Sequence, residues 1–114
     1  SILPGSELKL LKGLELGCSG IITATCNVMA HLSRKVYDDF YSNNEQSSNK
    51  KLCDVRSAFD KYNLISGLHT FYSQENKIYE NLLPPLRLLN QTEKSNLLNI
   101  LKNLDFSIKS LKAA

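Results

Sequence analysis

The 114-residue chain is expected to be α/β, with one strand–helix–strand unit over residues 1–26 followed by several helices. Three observations predict this. The run Gly20-Ile21-Ile22-Thr23-Ala24-Thr25-Cys26 is rich in β-branched residues, too short for a helix and apolar on both parities. A strand buried on both faces of a parallel sheet reads that way. Ahead of it Leu8, Leu11 and Leu14 recur with Lys9, Lys12 and Glu15 between them, as on a short amphipathic helix. After Asn27 the period changes, and Leu32, Val36 and Phe40 stand four apart, which is helical spacing.

Each element has its own punctuation. Ser1-Ile2-Leu3, stopped by Pro4-Gly5, reads as the end of a further strand. Ser6 is a suitable N-cap, Glu7 lies in the first turn where a negative charge meets the helix dipole, and Gly17 closes the helix. The polar stretch Ser42 to Asn49 is a connection, and the next helix puts Leu52, Val55, Phe59 and Tyr62 on one face. A third helical stretch carries Leu64, Ile65, Leu68 and Phe71 and frays near Ser73 to Asn76. Leu82-Leu83-Pro84-Pro85-Leu86 cannot be helix interior, because two prolines remove donors and restrict the residues before them. It is expected as a packed, extended linker. Thr92 or Asn90 can cap the last helix, with Leu97, Ile100 or Leu101, and Leu104 facing inward, and Lys109 to Ala114 form a loose tail. A two-stranded sheet does not stand alone, so the strands call for partners beyond those visible here.

Composition narrows the function classes. With 42% hydrophobic and 22% charged residues the chain is globular, either one domain or a piece of one, and not a disordered tail. No segment approaches the roughly 20 apolar residues that cross a bilayer, and no leader pattern opens the chain. Neither membrane nor nucleic acid is expected as a partner. The net charge of +3 is spread out, with Lys50-Lys51 and Arg34-Lys35 the basic doublets, whereas nucleic acid asks for a clustered stripe. Cys18, Cys26 and Cys53 lack zinc or redox spacing and read as reduced thiols of a cytoplasmic protein. His31 is expected at the surface, and Asn27 as a loop fastener. Tyr37, Tyr41, Tyr62, Tyr72 and Tyr79 are expected in packing or an interface. Asp38 and Asp39 point in different directions on a helix and are assigned no chemistry.

Particular residues add a more specific signal. Pro4-Gly5-Ser6-Glu7 is followed by Gly17-Cys18-Ser19-Gly20-Ile21-Ile22-Thr23-Ala24-Thr25-Cys26-Asn27-Val28, with Gly17 twelve residues after Gly5. The pattern resembles the seventh- and eighth-strand region of the dihydrodipicolinate synthase and N-acetylneuraminate lyase family, the class I pyruvate-dependent aldolases. That family has a Gly-Ser-Asp/Glu turn, a helix, then Gly-x-x-Gly-x-Ile-Ser/Thr and Asn-Val. The resemblance continues through Arg34-Lys35-Val36-Tyr37, Ile65-Ser66-Gly67-Leu68 and Leu83-Pro84-Pro85-Leu86-Arg87-Leu88-Leu89-Asn90, so that it covers residues from about 1 to 105. It is closest to dihydrodipicolinate synthase-like members. Leu83 stands where the family often has arginine, and His69 where lysine is common. Both departures bear on packing or subunit contacts rather than on chemistry.

The resemblance implies the C-terminal part of a (β/α)8 TIM barrel over residues 1–43 and a C-terminal helical extension over 44–114, mostly helical as an isolated chain. It implies a homotetrameric lyase of lysine biosynthesis with no metal or cofactor, in which a lysine forms a Schiff base with pyruvate and a small aldehyde such as aspartate semialdehyde is condensed. A barrel needs about 250 residues. No lysine occurs between Lys12 and Lys35, and the others sit on helices or connections. The catalytic residues are therefore expected outside this chain, which is expected to be inactive alone. By resemblance the substrate-binding positions here are Gly5, Ser6, Glu7 and the backbone carbonyl of Ile22, at the strand ends where barrels build their sites. Ser6 can equally be only a helix cap, Glu7 only a first-turn charge and Ile22 only barrel filling. Ala24 matches a substrate contact of the sialic-acid-cleaving branch, yet its methyl group cannot hydrogen-bond. The alternatives are a 2-keto-3-deoxy sugar-acid aldolase or dehydratase of the same family and, in another class, a stand-alone helical interaction module.

Overall fold

The computed structural model describes residues 2–108. The expected tail, Lys109 to Ala114, lies outside them, as does Ser1. The helices are α1 (Leu10–Glu15), α2 (Cys26–Tyr41), α3 (Asn49–Asp60), α4 (Leu64–Ser73) and α5 (Gln91–Asn103), with 3-10 turns at Glu7–Lys9 and Lys77–Glu80. The chain forms two compact units, Ser1–Arg56 and Ser57–Ala114, and the division falls within α3.

The expected strands are absent among the described residues, so of the α/β reading only the helical part is present. Residues 18–23 are irregular, and α2 begins at Cys26, inside the run read as a strand. The physical reason is pairing. A strand persists when its amides alternate bonds with a neighbour along a ladder. Among the described residues the two candidate strand segments share one backbone bond, from the Ile22 N–H to the Pro4 carbonyl at 3.2 Å. Pro4 has no N–H to return. The β-branched side chains therefore lack the covered surface that gives them their strand preference.

In the first unit the Ser6 hydroxyl accepts from the Leu8 N–H at 3.2 Å, so the expected cap is present, although it opens a 3-10 turn rather than an α-helix. That tighter turn shifts the phase of α1 behind it. The buried leucines are Leu10 and Leu14, four apart, while Leu8, expected inward, is exposed. Gly17, at φ +90°, ends α1 in a Schellman motif: the Gly17 N–H reaches the Leu14 carbonyl at 3.0 Å and the Cys18 N–H the Gly13 carbonyl at 2.8 Å. The helix packs on α2, which buries Val28, Met29, Leu32 and Val36 and bends at Met29 (φ −119°, ψ 17°). Thr25 starts that bend, since its carbonyl accepts from both Val28 and Met29. Asn43 (φ 55°) closes α2 as Gly17 closes α1, with the Asn44 N–H on the Asp39 carbonyl at 2.9 Å. The neighbouring aspartates do diverge. Asp38 is exposed beside Arg34 (3.1 Å), whereas Asp39 is buried and bonded to Lys35 (2.8 Å).

The second unit has an aromatic centre. Phe71 meets Phe59 edge-on at 5.9 Å and stacks on Phe106 at 5.7 Å. Gly67 of α4 lets its neighbours close in, since an added Cβ would lie 3.3 Å from the Phe59 ring and 3.9 Å from Leu97. Asn63 caps α4, and Asn90 caps α5 in a reciprocal box with Glu93. Asp105, at φ 54°, ends α5 and turns Phe106 inward, where its N–H bonds the Leu101 carbonyl at 2.9 Å. Leu97 and Leu101 are buried as expected, but Ile65 is exposed, and Tyr62 lies beyond the end of α3. The proline segment is not packed throughout. Leu83 is 82% exposed, because the chain turns there, the Leu86 N–H meeting the Leu83 carbonyl at 3.0 Å. What fastens this stretch is Thr70, whose buried hydroxyl donates to the Ser66 carbonyl at 2.7 Å and accepts from the Leu89 N–H at 3.1 Å. His69 fastens the 3-10 turn to α4 through its Nδ1, 2.9 Å from the Tyr79 carbonyl.

Loss of the α5 cap in Asn90→Ala is expected to cost about 1 kcal/mol. Phe106→Ala, which empties the aromatic centre, is expected to cost about 3–5 kcal/mol. Chemical denaturation of the two variants should give midpoints in that order below the parent.

Candidate functional site at the Gly5–Ile22 rim

The four residues expected at a binding site come together in the first unit, though in different states. Gly5 and Ile22 are neighbours across the chain: a Cβ built on Gly5 would stand 3.9 Å from the Ile22 carbonyl oxygen. Both residues are exposed, the Ile22 side chain at 71%. The Ser6 hydroxyl lies beside them and is engaged by the Leu8 N–H. Glu7 is fully buried and presents no free carboxylate at the surface.

Beneath the rim Glu7 organises a polar clasp. Its Oε1 accepts from the hydroxyls of Thr23 and of Thr25, the latter at 2.6 Å, and its Oε2 accepts from Arg56 Nη1 at 2.6 Å. The same Nη1 donates to Thr25 Oγ1 at 2.9 Å. Donors and acceptors balance. Each threonine has one hydroxyl proton and directs it to Glu7. Thr23 then accepts from the Cys26 N–H at 3.1 Å, and Thr25 accepts from Arg56. Arg56 is itself only 11% exposed in its side chain, which makes this a buried ion pair reinforced by neutral donors. Burial alone pushes the Glu7 carboxyl up, but the hydrogen bonds from Thr23, Thr25 and Arg56 outweigh it and hold the group below its ordinary 4.5.

The resemblance names Glu7 as a substrate-binding position, and neither its burial nor its partner follows from the sequence. Arg56 is 49 residues away, on a helix whose other positions account for the local pattern. The available signal was Thr23-x-Thr25, two hydroxyls on one side of an extended segment opposite an acidic residue. Asn27 behaves as the expected fastener, its Nδ2 donating to the Ala24 carbonyl at 2.8 Å, and His31 is exposed.

Other chemistry is not gathered here. Among the described residues no lysine is buried. Lys50, fully open to solvent, has its ammonium pKa raised by its hydrogen bond to Asp54, the reverse of what an amine nucleophile needs. All three cysteines are free, and burial, ahead of the charges of Asp54 and Glu7, pushes the Cys53 thiol up and away from the reactive thiolate. Among the described residues no group of three or more His, Cys, Asp or Glu could hold a metal, and no helix is long and apolar enough to cross a membrane.

Removing one member of a buried pair leaves the other uncompensated, so Glu7→Gln is expected to destabilise the protein by about 3–5 kcal/mol. The pH dependence follows from the depressed pKa. The stabilisation is complete above pH 4.5 and is lost as pH falls through the lower folded value. Denaturation midpoints measured from pH 7 down to pH 3 should show this acid loss in the parent and a shallower one in Glu7→Gln.

The Dihydrodipicolinate synthetase family matches the chain over residues 1–104, nearly its whole length. No curated protein and no solved structure matches it. The matched span takes in the Gly5–Ile22 rim, the clasp beneath it and helices α1 to α5. The chain belongs to the Dihydrodipicolinate synthetase family.

Proposed function

We propose that this chain contributes the binding rim of a pyruvate-dependent lyase, which joins pyruvate to a small aldehyde such as aspartate semialdehyde through a lysine Schiff base. The observation that carries the reading is the approach of Gly5 to the Ile22 carbonyl, inside the span matched by the family. Glycine there leaves room for a ligand against main chain, and a carbonyl can accept from a ligand hydroxyl. Ser6 borders the same space, and Glu7 holds the rim from below. The amine is assigned to a lysine outside these residues. Forming a Schiff base at neutral pH requires a lysine with its pKa lowered by burial or by nearby cations, and no described lysine is buried. On this reading the whole protein is a cofactor-free homo-oligomer, a tetramer by family resemblance.

The test is trapping with borohydride in the full-length protein that contains this segment. After incubation with pyruvate, intact mass and peptide mapping should show one reduced pyruvate per chain, on a lysine outside residues 1–114. An adduct on a lysine within this segment would relocate the amine, and no adduct at saturating pyruvate would remove the lyase reading. Turnover with aspartate semialdehyde against 2-keto-3-deoxy sugar acids then separates the two substrate classes.

A further inference from the structure

We propose that Arg56 is a positioning residue for this rim: from α3 it grips Glu7 and Thr25 together, and through them sets Gly5 against the Ile22 carbonyl. The inference rests on the pyruvate-binding reading of the rim. On the division that the resemblance implies, Arg56 belongs to the helical extension, so the extension takes part in shaping the pocket.

The connections are short. Gly5 is two residues before Glu7, and Ile22 is one residue before Thr23. Of backbone hydrogen bonds, the described residues give the two rim segments the single one from Ile22 to Pro4. The remaining ties are the threonine hydroxyls on Glu7 Oε1. Those ties hold their geometry as long as Glu7 is a carboxylate in a fixed place. Arg56 secures both conditions. Its charge keeps a fully buried carboxylate ionised, and Nη1, bonded to Glu7 at 2.6 Å and to Thr25 at 2.9 Å, locks acid and hydroxyl to one atom. The planar guanidinium is suited to that task, whereas the compact, strongly hydrated ammonium of lysine does not reproduce it. Movement of a binding carbonyl by a fraction of an ångström weakens substrate capture without touching the reacting amine.

The experiment uses the full-length protein and titrates pyruvate in the borohydride assay, alongside thermal denaturation. Arg56→Lys and Arg56→Met should raise the pyruvate concentration for half-maximal trapping roughly tenfold while leaving the yield at saturation unchanged. A paired replacement, Glu7→Met with Arg56→Met, removes both charges and should recover thermal stability without recovering the half-saturation value. That divergence is the signature of positioning. Should Arg56→Met fail to fold, Arg56→Lys and Thr25→Val carry the same readout. Wild-type half-saturation in the folded variants, or its recovery together with stability in the pair, would reduce Arg56 to a structural residue. No adduct in the parent protein would instead remove the pyruvate reading, and this inference with it.

Discussion

The buried carboxylate of Glu7 ties the distant segments of the first unit together. Taking Glu7 out of water costs several kcal/mol unless its charge and lone pairs are met, and they are met by side chains 16, 18 and 49 residues away. The folded arrangement of residues 2–56 is therefore one in which the turn after Pro4, the Thr23–Thr25 segment and α3 reach the same point. Hydrophobic contact between α1 and α2 brings these parts near one another but carries no directional information. The ion pair and its two hydroxyl donors supply the direction, and the rim above inherits its shape from them.

The helical part of the fold was legible from residue pattern, and the reasons are local. Leu32, Val36, Leu52, Val55, Leu68, Phe71, Leu97 and Leu101 are buried at helical spacing. Ser6, Gly17 and Asn90 mark helix ends through groups only a few residues away. The strand over Gly20–Cys26 was misread because a strand is a relation between segments: its composition favours extended chain, yet only pairing makes it one. Leu8 and Ile65 were misplaced for a related reason. Three-residue spacing does not distinguish a 3-10 turn from an α-helix, and an apolar residue at a helix start can satisfy the period while facing solvent.

At the site, what resemblance implied and what physics shows are different kinds of statement about the same residues. Gly5 and Ile22 are side by side, which a linear reading could not establish for residues 17 apart. Glu7, the most chemically suggestive of the four, is the least accessible. Its burial closes it to a ligand, and its bonds on both oxygens tie together the backbone segments on either side. The lysines show the converse. On the proposed reading they are the residue type that forms the Schiff base, and the described ones lie at or near the surface.

The clasp also restricts how this sequence can change over generations. Replacing Glu7 alone strands a guanidinium in the interior, and replacing Arg56 alone strands a carboxylate, so each single step is penalised although the two positions are 49 apart. Exchanging both for apolar residues of matching volume escapes that penalty in stability while giving up the directional hold on the rim. Lineages that keep one of the two residues are thus expected to keep both as a unit, and those that lose one are expected to lose the other.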